Sequence, residues 1–107
     1  EDDMEGMVEY GLSVVNNEPE EALRMYHEAI SLYEGNDRKY PLPVEIIDLS
    51  IAIVLNIAKV DIQQAINLLD IIEVEEFRIE TIDNLIEKTD DEKYKIVLEK
   101  MKEEGLE

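Results

Sequence analysis

The stretch Ile46 to Ala58 constrains the fold of this chain more than any other. Its apolar side chains, Ile46, Ile47, Leu49, Ile51, Ile53, Val54, Leu55 and Ile57, do not form a stripe but cover nearly the whole circumference of a helix. Such a helix is stable in water only when other elements surround it. The run has 13 residues with Asp48, Ser50 and Asn56 inside it, and so falls short of the roughly 20 needed to span a bilayer. It predicts a central core helix from about Pro43 to Lys59.

The flanking sequence carries helix punctuation and almost no alternation of the strand kind. Met4, Met7, Val8, Leu12 and Val15 recur at helical spacing and predict a first helix ending near Asn16 and Asn17. In Asn17-Glu18-Pro19-Glu20 the Asn side chain is placed to cap a second helix, since proline is tolerated in a first turn. That helix has the stripe Ala22, Leu23, Tyr26, Ala29, Ile30 and Tyr33, and Gly35-Asn36-Asp37 stops it. Tyr40-Pro41-Leu42-Pro43 is extended, because each proline turns its predecessor away from the helical region.

Beyond the central helix, Asp61-Ile62-Gln63-Gln64 has the spacing of a capping box, with Val60 placed to staple onto Ala65. No glycine or proline follows until Gly105, and Ala65, Leu69, Ile72, Ile79 and Ile86 lie along one side. Glu75 and Glu76 interrupt that stripe, so the segment either kinks there or projects beyond the core, and one continuous fourth helix is the favoured expectation. Thr89-Asp90-Asp91-Glu92 then caps a fifth helix, with Tyr94, Val97, Leu98 and Met101 facing inward. The expected class is all-α: a single domain, residues 1–107, built as an antiparallel array of about five helices around the central apolar one.

Charge limits the partners. Ten basic against 28 acidic residues give −18, which repels nucleic-acid phosphates and anionic membrane surfaces and favours basic or apolar protein partners. A hydrophobic content of 45% is too high for a disordered acidic tail. The absence of cysteine excludes disulfide, zinc–thiolate and thiol-nucleophile chemistry. Glu1, Asp2 and Asp3 are unlike the basic start of a secretory signal, so a cytoplasmic setting is expected. A chain opening on Glu1 also reads as a fragment of something longer.

Residues for catalysis are scarce. His27 is the single imidazole, and its position beside Tyr26 on an amphipathic helix is that of a structural residue rather than a general base with positioned partners. The di-iron helix signature needs Glu three residues before His, where this chain has Arg24. Phosphate-cradling glycine loops, the nucleophile elbow and the calcium loop are absent. No catalytic, cofactor-binding or metal-ligating residue is therefore assigned, and the chain is not expected to be an enzyme. Ten carboxylates lie between Asp70 and Glu92 against Arg78 and Lys88, a solvated face that also suits a basic partner. Tyr26, Tyr33 and Tyr94 read as core; Tyr10 and Tyr40 read as contact residues.

Two helical families share patterns with the chain. Ala22, Tyr26 and Ala29 have the small-aromatic-small spacing of the second helix of a tetratricopeptide repeat, although the caps near residues 18 and 62 do not keep that repeat's period. Over a longer span, MYHEAISLY, then KYPLPVEI opening an apolar helix, then a helix ending in KTDDEKYK, resemble the C-terminal part of 14-3-3 proteins from about Ala22 to Lys95. That resemblance implies a cytosolic, helical and dimeric adaptor. The family's phosphopeptide pocket lies in an N-terminal half this chain does not contain, and Ile51 stands where the family has a peptide-holding Asn. The resulting expectation is a non-enzymatic protein interaction module, a 14-3-3-like adaptor fragment lacking a phosphate pocket. The alternative is a structural subunit of a larger assembly that meets a basic neighbour through its acidic face.

Overall fold

The computed structural model describes residues 2–35 and 44–106, and over these the chain is all-α. Its helices are α1 (Asp2–Val14), α2 (Pro19–Gly35), α3 (Val44–Ala58), α4 (Ile62–Asn67), α5 (Glu75–Lys88) and α6 (Glu92–Leu106), with one 3-10 turn at Leu69–Ile71. The expected turn at Asn36-Asp37, the extended Tyr40-Pro41-Leu42-Pro43 and the contact role of Tyr40 lie outside the described residues.

Helix α3 is central, as its composition requires. It packs against α1, α2, α4 and α5, and buries Ile46, Ile47, Leu49, Ser50, Ile53, Val54, Asn56 and Ile57. The two buried polar side chains are satisfied within the helix: Ser50 Oγ donates to the Ile47 carbonyl at 2.7 Å, and Asn56 Nδ2 to the Ala52 carbonyl at 2.8 Å. One stripe of α3 stays open, with Asp48 exposed and Ile51, Ala52, Leu55 and Ala58 only half-buried. The array is 43 × 33 × 16 Å, about two helices thick, so few helices are covered on every side.

Helix α1 approaches α3 through glycine. A Cβ added at Gly11 would lie 3.0 and 3.1 Å from the Leu49 side-chain methyls, so a side chain there would have to displace Leu49 by a few tenths of an ångström. This contact rotates α1 relative to the expected stripe: Val8, Gly11 and Val15 are buried, while Leu12 is exposed. On α2 the expected stripe holds, with Ala22, Tyr26 and Ala29 in the core and Leu23 and Ile30 packed against it. Its cap moves by one residue: α2 begins at Pro19, and Glu18, not Asn17, supplies the first carbonyl, to the Ala22 amide at 3.1 Å.

The expected continuous fourth helix is the main correction. Helix α4 ends at Asn67, a 3-10 turn follows, and Ile72 and Val74 are extended before α5 begins. The Tyr26 hydroxyl takes the Ile71 carbonyl at 2.7 Å and the Arg78 Nη1 takes the Ile72 carbonyl at 3.0 Å. Side chains from elsewhere thus replace the hydrogen bonds a continuous helix would have made. The break lets Leu69 and Ile72 both reach full burial, and gives six α-helices among the described residues where about five were expected.

Two further expectations shift at helix ends. Asp61 caps α4 as expected, its carboxylate accepting from the Gln64 amide at 3.2 Å. The staple does not form: Val60 is 85% exposed, because the turn closing on the Ile57 carbonyl aims it outward. At the last boundary Asp91 is the cap of α6, its Oδ1 accepting from the Lys93 amide at 3.0 Å. Thr89 ends α5 instead and accepts from the Asp91 amide at 3.3 Å. Along α6, Leu98 is buried and Tyr94 and Met101 half-buried as expected, but Val97 is exposed.

Candidate interaction surfaces

Three helix ends converge on one cleft. Helix α3 finishes at Ala58, the Lys59–Val60 turn leads to the Asp61 cap of α4, and α5 stops at Lys88 beside them. Because α3 is apolar all round and α5 covers only part of it, the open stripe of α3 runs into this space. The cleft is about 420 Å³, with Leu55, Ala58, Ile62 and Leu85 as its apolar floor and Lys59, Lys88 and Asp90 at its rim. The Lys59 ammonium donates to Asn56 Oδ1 at 3.3 Å, which fixes that cation at the edge. Such a surface can take an apolar side chain from a partner and meet a nearby carboxylate with lysine.

None of Lys59, Val60 and Lys88 was picked out as a contact residue by sequence reasoning. One signal was available. Lys59 is the only cation between Lys39 and Arg78, and it directly follows the most apolar helix of an acidic chain.

The residues weighed from sequence are dispersed. His27 lies on the exposed side of α2, its ring edge-on to Tyr26 with centroids 5.7 Å apart. Tyr10 is exposed, and its hydroxyl donates to Glu21 at 3.3 Å. Glu21 also receives two hydrogen bonds from Arg24, both at 2.9 Å, and Arg24 reaches Glu28 at 3.4 Å. The Arg24 guanidinium holds the Glu21 carboxyl below its ordinary range, and the Glu21 charge in turn pushes the Tyr10 hydroxyl up. Of the three arginines, Arg24 is thus engaged with acids and Arg78 with a backbone carbonyl, while Arg38 lies outside the described residues.

The acidic run divides between elements. Asp70 sits in the 3-10 turn; Glu75 and Glu76 occupy the first turn of α5, where the helix dipole favours them; Glu80, Asp83 and Glu87 follow along that helix. Asp83 pairs with Lys102 of α6 at 2.7 Å. Among the described residues no group of His, Asp and Glu is arranged to hold a metal ion, and no helix is long and apolar enough to cross a membrane.

Compared with known proteins, the chain matches no family model, no curated protein and no solved structure.

Proposed function

We propose that this chain is a non-enzymatic protein interaction module, an adaptor-like helical array of the 14-3-3-like kind but without a phosphate pocket. The observation that carries the reading is the cleft at the converging ends of α3, α4 and α5, whose floor is apolar and whose mouth carries the exposed Val60. Grooves between helices commonly receive a partner's helix or extended peptide, with apolar anchors supplying affinity and rim charges supplying orientation. The engagement of Arg24 and Arg78 within the fold speaks against a phosphate clamp, which needs several clustered donors.

The reading is tested by affinity capture with the purified chain and with its Val60→Asp variant, at about 0.05 M and about 0.5 M salt. Capture of one saturable partner that survives high salt and is lost in the variant is expected. Binding that vanishes at high salt and is indifferent to Val60 would move the contact to the acidic face of α5, the structural-subunit reading. Turnover of a small compound by the pure chain would overturn both.

A further inference from the structure

The helices at the two ends of the packing order carry faces that match. Helix α1 packs on α2 and grazes α3; helix α6 packs on α5 and touches α4. On α1, Glu5, Val8, Glu9 and Leu12 fall at i, i+3, i+4 and i+7, and face Glu45 of α3 across a groove of about 140 Å³. Val8 is its buried floor, and Leu12 is 37% exposed. On α6, Lys93, Ile96, Val97 and Lys100 fall at the same spacing, with Ile96 60% and Val97 40% exposed. One face is an apolar strip among carboxylates, and the other is an apolar strip between ammonium groups.

We propose that the chain associates with a second copy of itself head to tail, the exposed face of α6 from one copy lying in the α1–α3 groove of the next. In stacked helical arrays the terminal faces need a polar cap to stop further stacking, and here both ends keep apolar side chains in solvent. Helix-in-groove docking reads anchors at the spacing both faces share. The choice of a second copy over a foreign helix rests on charge complementarity between two surfaces of the same chain. Helix α6 holds four of the chain's ten cations, Lys93, Lys95, Lys100 and Lys102, against Glu92, Glu99, Glu103 and Glu104. It is therefore locally neutral within a chain of −18, and approaches Glu5, Glu9 and Glu45 without net repulsion of its own. Repulsion between the remaining charges is screened beyond about 8 Å at physiological salt. The groove is small, so the contact is weak, and a heterologous contact of this kind builds open chains or rings rather than stopping at a twofold dimer.

Sedimentation equilibrium at about 0.15 M salt tests this, with the chain taken from micromolar to millimolar concentration. The mass should climb above that of one chain as concentration rises. Glu9→Lys/Glu45→Lys and Lys93→Glu/Lys100→Glu should each weaken association by about tenfold or more, the loss of two or three rim charge pairs. Mixing the two variants, each of which repels itself, should restore it, a rescue that misfolding cannot produce. Ile96→Ser, at an exposed position, should weaken association with the melting midpoint unchanged. A chain that stays at monomer mass throughout overturns the proposal, as does association indifferent to both charge reversals. Capture of a Leu/Lys amphipathic helical peptide in the groove by an otherwise monomeric chain would also overturn it, in favour of a foreign basic helix.

Discussion

The Tyr26 hydroxyl donates to the carbonyl oxygen of Ile71 at 2.7 Å, joining α2 to a turn 45 residues further along the chain. Tyr26 is 4% exposed and Ile71 half-buried, so the bond is partly shielded from water. Tyr26→Phe should lower stability by about 1 kcal/mol, the net worth of a partly shielded hydrogen bond. Chemical denaturation checks this. A midpoint equal to wild type would mean that the break after α4 is held by packing alone.

Arg78 braces the same break from the other side through the Ile72 carbonyl. Arg78→Met keeps most of the stem but removes the donor, and should cost about 1 kcal/mol. Amide exchange should quicken across residues 68–74 before it does in α3.

The two glycines of α1 should respond in opposite directions to alanine. At Gly6 an added Cβ meets nothing within 4 Å, so Gly6→Ala should stabilise by about 0.5–1 kcal/mol through helix propensity. At Gly11 it would press on the fully buried Leu49, and Gly11→Ala should lower the melting midpoint. Thermal melts of the pair provide the comparison.

At the boundary between α5 and α6 the cap is Asp91. Asp91→Ala should cost about 1 kcal/mol, whereas Thr89→Ala, which loses only the longer 3.3 Å contact, should cost a few tenths. The reverse order would put the start of α6 at Thr89.

Acid should dissolve the Tyr10–Glu21–Arg24 network. The Glu21 carboxyl is depressed from its ordinary 4.5, chiefly by the Arg24 hydrogen bonds, so its contribution is present above that pH and lost as pH falls through the folded value. The sign is that of a group binding protons more readily when unfolded. The stability difference between the wild type and Glu21→Gln should be small at neutral pH, because the pair is exposed, and should shrink to nothing in acid.

Much of this was legible in the residues. The all-round apolarity of Ile46 to Ile57 required a central helix, Asp61 announced the start of α4, and the spacing of Ala22, Tyr26 and Ala29 named the buried face of α2. The candidate surfaces were harder to read. Val60 was expected in a staple because a local pattern says nothing of where a neighbouring helix ends, and the cleft exists only because α3 and α5 end where α4 begins. Leu12 and Val97 lie on stripes broad enough for several rotations of their helices, and the facing surface chose among them.

The sequence by itself determined that the chain is helical, which helix lies at its centre, and that its surface is strongly acidic, since periodicity and composition act through local geometry and total charge. Tertiary structure decided where the long fourth segment breaks. No proline or glycine marks that place. The break persists because Tyr26 and Arg78, brought there by the fold, satisfy the carbonyls that the interrupted helix abandons, while Leu69 and Ile72 gain the core.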